Sequence, residues 1–158
     1  MANVKPIPDG YHTLTPYLYT RNASEVIEFY KKVFGAEELF RMPGPGGKIM
    51  HAELTIGDSR IMLADENQEM NSLGPLSVGG STSSIYVYVE DVDAVVQRAQ
   101  AAGAKLTREV KDQFYGDRSG GFTDPAGYAW HVATHVEDVS PEEVGKRAAA
   151  AMSQAAGS

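Results

Sequence analysis

Thr15-Pro16-Tyr17-Leu18-Tyr19-Thr20 decides the fold, because it comes back as Ser84-Ile85-Tyr86-Val87-Tyr88-Val89 at an offset of 84 − 15 = 69. Ala23-Ser24-Glu25-Val26-Ile27 returns as Val92-Asp93-Ala94-Val95-Val96 at the same offset, and Ile61-Met62-Leu63-Ala64 as Trp130-His131-Val132-Ala133. Phe34-Gly35-Ala36 returns as Ala102-Gly103-Ala104, one residue out of step. A tandem repeat of this length implies two copies of one supersecondary unit, each too small to bury a core alone. When two such units face each other, the groove between them is the natural place for a ligand.

Within the first copy, residues 13–20 alternate and are rich in β-formers, which predicts a strand whose inner Pro16 marks a sheet edge or an irregularity. Asn22 or Ser24 can cap the helix that follows. Val26, Ile27, Tyr30, Val33 and Phe34 form its apolar stripe, and Gly35 stops it. A strand near 36–42 leads into the turn Pro43-Gly44-Pro45-Gly46-Gly47. Over 48–56 the alternation puts Met50, Ala52, Leu54 and Ile56 on one face and His51, Glu53 and Thr55 on the other. Gly57-Asp58 turns into a strand over 59–65. The second copy repeats this order with a strand at 84–90, a helix at 91–102 and strands at 104–110, near 119–123 and at 128–135. Residues 66–82 read as a polar connector that could serve as a flap.

Ser140-Pro141-Glu142-Glu143 has the form of a helix start, with Ser140 as N-cap, Pro141 at the first position and Glu143 as the capping-box carboxylate. The fold class is therefore α+β: two tandem β-α-β-β-β modules forming a cupped mixed sheet around a groove, plus a C-terminal helix. The 158 residues divide as first module 12–65, connector 66–82, second module 83–136 and C-terminal helix 140–155, all in one domain.

Composition narrows the function classes. A net charge of −7 with no basic face argues against nucleic acid. No run approaches the roughly 20 apolar residues of a membrane span, and Met1-Ala2-Asn3-Val4-Lys5 has no apolar signal core. The lack of cysteine removes disulfides and thiolate metal sites and fits a reducing compartment. A cytoplasmic protein acting on a small molecule is the expectation.

Ile27-Glu28-Phe29-Tyr30-Lys31-Lys32-Val33-Phe34-Gly35-Ala36 and Thr123-Asp124-Pro125-Ala126-Gly127-Tyr128 resemble the vicinal-oxygen-chelate superfamily of glyoxalase I, bleomycin-resistance proteins and extradiol dioxygenases. His51-Ala52-Glu53-Leu54, Ile61-Met62-Leu63-Ala64-Asp65 and Trp130 are similar to its PhnB-like branch. The resemblance covers residues 12–136. It implies four positions at which metal-dependent members chelate one divalent ion, here Thr15, Met62, Ser84 and His131. Their spacing is self-consistent, since 84 − 15 and 131 − 62 both equal 69. Only His131 is a good ligand, because hydroxyls are weak donors and a thioether suits copper(I). The resemblance therefore implies a degenerate metal centre and no cofactor, with a divalent metal as the minority alternative.

That alignment and strand alternation turn Tyr17, Tyr19, Arg60, Met62, Tyr86, Tyr88 and His131 toward the groove as ligand-binding residues. His51 and Glu53 join them. Tyrosine and methionine suit a planar ligand, and Arg60 suits a carboxylate or phosphate. Arg60 has a competing structural reading as a cross-strand partner of Glu53. His12 and His135 read as strand-end surface residues, and Tyr115-Gly116-Asp117-Arg118 as a loop at the groove mouth.

Two functions follow. One is metal-free sequestration of a planar or aromatic compound, as by bleomycin-resistance proteins. The other is an enzyme of the glyoxalase, dioxygenase or epimerase type, with His51, Glu53 and His131 as catalytic candidates around a shifted metal or as general acid and base. The superfamily commonly dimerises, which implies a homodimer.

Overall fold

In the computed structural model, residues 4–156 are described. Met1 to Asn3 of the expected polar N-terminus lie outside them. The order is β1 (Tyr17–Thr20), α1 (Ala23–Phe34), β2 (Glu37–Pro43), β3 (Ile49–Ile56) and β4 (Ser59–Asp65). A helical turn, α2 (Pro75–Val78), precedes β5 (Ser84–Tyr88), α3 (Val92–Ala101), β6 (Lys105–Asp112), β7 (Asp117–Thr123) and β8 (Ala129–His135). Helix α4 (Pro141–Ala156) closes the chain. The strands form two four-stranded mixed sheets, ordered β1-β4-β3-β2 and β5-β8-β7-β6. The repeat is visible in the pairing itself: Tyr17 stands opposite Met62 and Tyr86 opposite His131, each pair 69 residues from its counterpart (86 − 17 and 131 − 62).

The first compact unit spans residues up to Ser83 and includes Asp124–Tyr128. Its core lies between α1 and one sheet face, with Val26, Ile27, Tyr30 and Val33 buried along with Leu18, Ala52, Leu54, Ile61 and Leu63. Asn22 caps α1 by accepting from the Glu25 N–H, and Gly35 ends it in the left-handed region at φ 66°. β1 is shorter than the expected 13–20. It begins just after Pro16, which lacks a ladder donor but accepts from the Met62 N–H at 2.9 Å.

Met50 leaves the apolar face assigned to it and is exposed, whereas Ile49 is buried. The β2–β3 register shifts between Met42 and Pro43, which changes the side to which the start of β3 points. The connector carries hydrogen bonds of its own and to Arg21, ahead of α1. Glu66 accepts from the Gly74 N–H and the Ser77 hydroxyl, both at 2.8 Å, and Arg21 donates to Ser77 Oγ and the Leu76 carbonyl.

The turn Asp124–Tyr128 is built around one carboxylate. Asp124 Oδ1 accepts from the Ala126 and Tyr128 N–H groups, and Oδ2 accepts from the buried Tyr30 hydroxyl at 2.7 Å. The Tyr128 hydroxyl accepts from the Tyr19 N–H and donates to its carbonyl, so a side chain serves as ladder partner to the edge strand β1.

The second unit comprises Ser84–Thr123 and the residues after Tyr128. Val92, Val95, Val96 and Ala99 on α3 are buried with Phe122, Trp130 and Val132 from one sheet face. β7 starts at Asp117, two residues before the expected 119. Ser140 accepts from the Glu143 N–H at the start of α4 as the sequence predicts, but the Glu143 carboxylate pairs with Arg147 rather than turning back to the cap.

Candidate functional site

Strand pleating decides which side chains leave the core. In the first sheet, Glu53 stands opposite Met62, Thr55 opposite Arg60 and Tyr17 opposite Met62, so these residues share the face away from α1. Tyr19 lies on that face too, its ring 5.1 Å from that of Tyr17. Next to it is an open hollow of about 470 Å³, lined by Thr15, Glu53 and Met62 and by the N-terminal segment that includes Pro6, Pro8 and Tyr11.

A hydrogen-bonded series crosses this face. The Tyr17 hydroxyl lies 2.9 Å from His51 Nδ1, and His51 Nε2 lies 3.1 Å from Glu53 Oε1. The Tyr11 hydroxyl donates to the other carboxylate oxygen of Glu53. That bond, with help from His51, holds the Glu53 carboxyl below its usual range. Burial and the Glu53 charge raise Tyr11 in turn. Burial raises Tyr17, which therefore stays a phenol at neutral pH. The Arg60 guanidinium packs 4.1 Å over the Tyr11 ring, a cation–π contact, and its charge adds to the lowering of the Glu53 carboxyl.

In the second sheet, Ser84, Tyr86 and Tyr88 on β5 share a face with Ala129, His131 and Ala133 on β8 and with Ser119 and Gly121 on β7. Tyr86 stacks on His131, with ring centroids 6.0 Å apart and planes at 26°. Asp117 does not form a loop at a groove mouth; it is the buried first residue of β7. It accepts from the Tyr88 and Tyr86 hydroxyls at 3.0 and 3.3 Å and pairs with His135 Nδ1 at 2.8 Å. His135 is thus more than a surface strand end. Its pKa is raised, first by Asp117 and then by Asp138. Burial raises Tyr86, whereas the bond to Asp117 is the main reason Tyr88 is raised.

The four positions aligned with the metal ligands therefore divide between the two faces. Thr15 and Met62 line the first unit's hollow, while in the second unit Ser84 is exposed and His131 sits under the Tyr86 ring. Two hydroxyls, a thioether and one imidazole do not suit a hard or borderline divalent ion. Among the described residues no group of three or more His, Cys, Asp and Glu is gathered to hold a metal. His51 and Glu53 bond to each other instead.

Sequence reasoning missed Tyr11, Ser119 and the role of Asp117. Tyr11 lies before the first periodic segment, and Ser119 carries no motif. The strand alternation that reaches back from His131 through β8 to β7 is the one signal that could have found Ser119.

Comparison with known proteins fits this geometry. An uncharacterized protein of Mycobacterium bovis is 41% identical over 145 residues, covering 90% of this chain and 91% of its own length. The crystal structure of TioX from Micromonospora sp. ML1 is similar with TM-score 0.63 at 27% identity, covering 79% of this chain and 99% of that one. A putative 3-demethylubiquinone-9 3-methyltransferase, PhnB protein, from Bacillus cereus shares the fold at 19% identity with TM-score 0.62, covering 78% and 99%. Among the described residues no helix is long and apolar enough to cross a membrane. The sequence profile of the Glyoxalase/Bleomycin resistance protein/Dioxygenase superfamily matches residues 11–132, and the chain belongs to that superfamily.

Proposed function

We propose that the protein binds a planar or aromatic small molecule on the tyrosine-bearing faces of its sheets, without the divalent ion of the superfamily's metal-dependent members. The observation that carries this reading is the chemistry of Thr15, Met62, Ser84 and His131, three of which are poor ligands for zinc, nickel, manganese or iron(II). Large aromatic surface accompanies them. Tyr17 is 40% exposed, Tyr86 46% and Tyr88 63%, on faces whose reverse sides form the cores. Amphipathic rings of this kind stack on mixed-polarity ligands while their hydroxyls stay paired.

Thermal melting tests the reading. Dialysis against EDTA, or addition of nickel, zinc, manganese or iron(II), should leave Tm unchanged, while members of an aromatic compound panel raise it by mass action. A stoichiometric ion that is lost in a His131→Ala variant would overturn the metal-free account.

The Tyr17–His51–Glu53 series favours a second reading, acid–base catalysis. A carboxylate that fixes one imidazole nitrogen leaves the other to exchange a proton with a partner, here a phenol at the sheet edge. Proton exchange at the carbon next to a carbonyl, followed by NMR in deuterium oxide on small ketone probes, should then fall to background in His51→Gln and Glu53→Gln. Background exchange in the unaltered protein would remove this reading.

A further inference from the structure

We propose that the second unit holds a neutral hydrogen-bonding group of an aromatic ligand, such as a hydroxyl, carbonyl or amide, in a cradle over Gly121 formed by Thr107, Ser119 and His131. This rests on the ligand-binding reading above and names the ligand's polar anchor.

Two buried polar atoms point to the site. Ser119 is only 2% exposed, and neither its Oγ nor His131 Nδ1 finds a hydrogen-bond partner in the protein. Buried polar atoms are nearly always paired, because leaving one unpaired forfeits its hydration for nothing. Both atoms belong to one sheet face. Ser119 stands opposite Ala133 and Gly121 opposite His131, which makes Ser119 and His131 diagonal neighbours on adjoining strands. Such neighbours lie about 7–8 Å apart, near enough for one small group to reach both.

Gly121 supplies the space. A Cβ at that position would lie 3.0 Å from the Trp130 carbonyl oxygen, 3.2 Å from Thr107 Oγ1 and 3.7 Å from His131 Nδ1, tight for a carbon but within the range of a hydrogen-bonding atom. With no side chain there, an incoming oxygen or nitrogen can approach the imidazole and the threonine hydroxyl together. The aromatic part of the ligand has its own platform. Tyr86 stands opposite His131, stacks on it and keeps 46% of its surface exposed. The Tyr86 and Tyr88 hydroxyls both reach Asp117 on β7 from β5, so the two rings lean across the intervening strand toward Ser119.

The donor set also indicates the charge of the bound group. Serine and threonine hydroxyls and an imidazole can each donate or accept, which suits a neutral group that does both. Asp117 is a buried carboxylate on the same face and repels an anion placed beside it. Arg108, in register with Gly121, and Lys111, in register with Ser119, are exposed cations on β6 that could draw an anion in, so the test includes one.

Three probes of one size separate the outcomes by titration calorimetry: 2-naphthol, 2-fluoronaphthalene and 2-naphthoate. The naphthol should bind about tenfold more tightly than the fluoro compound, the worth of about one hydrogen bond. Ser119→Ala and Thr107→Val should each remove most of that advantage while leaving the fluoro compound's affinity unchanged. Because Ser119 Oγ has no hydrogen-bond partner within the protein, the alanine variant should melt no lower than the parent, which separates lost recognition from lost folding. Equal binding of naphthol and fluoro compound, or full retention of the naphthol advantage in both variants, would overturn the cradle but leave the aromatic-binding reading standing. Preference for naphthoate would overturn the neutral anchor. Binding of none of the three would overturn the cradle and the reading beneath it.

Discussion

Asp117 takes bonds from the Tyr86 and Tyr88 hydroxyls and from His135, and so ties three strands together through one buried carboxylate. The sequence Tyr115-Gly116-Asp117 reads as a turn, since glycine and aspartate are both poor strand formers. Its donors lie 29, 31 and 18 residues away, a distance no local pattern reports. The same bond governs how His135 titrates. Its folded pKa is raised above the ordinary 6.5, so its contribution to stability is fully present below that value and is lost as pH rises through the folded pKa. An NMR titration should place the His135 midpoint above 6.5, and Asp117→Asn should bring it down. A His135→Gln variant should lose the corresponding decline of Tm with rising pH. A His135 midpoint at or below the ordinary value would contradict the pairing. Glu38 behaves in the opposite sense. Arg41 holds it at about 2, so its contribution is present above pH 4.5 and fades only as pH falls toward 2.

Helices were legible because their signals are local. Asn22, Gly35 and Ser140 each occupy the cap position that their residue type predicts. Gly35 tests this at the level of the element. Its φ of 66° disfavours any residue with a Cβ, yet a Cβ there would meet nothing within 4 Å. Gly35→Ala should therefore cost about 1 kcal/mol by conformation alone, measured by urea unfolding. Gly35→Asn should cost less, because asparagine tolerates the left-handed region. Equal stability of all three would mean that the cap contributes nothing. Strand ends were less legible. β7 begins early because long-range hydrogen bonds hold Asp117, and the start of β3 reverses its buried side because of a register shift. Alternation fixes the face of a strand only while the ladder stays regular. The connector's polar composition suggests freedom, and Glu66 and Arg21 use those same polar groups for hydrogen bonds that no local pattern reports.

At the scale of the whole molecule the repeat was the most legible feature, since the 69-residue offset returns as the register of β1 on β4 and of β5 on β8. The unpaired Ser119 Oγ and His131 Nδ1 were invisible, because nothing in a sequence says which polar side chain will lack a protein partner. The offset also fails to reveal that the turn Asp124–Tyr128 belongs with the first unit although both strands it joins belong to the second. A gene truncated after codon 83 would therefore not yield a self-sufficient half. The polypeptide would be deprived of the carboxylate that the Tyr30 hydroxyl reaches and of the phenol that completes the rim of β1. Adding the missing stretch as a separate peptide would be needed to mend it. The half that carries β1 to β4 thus leans on five residues encoded far downstream of it, Asp124–Tyr128.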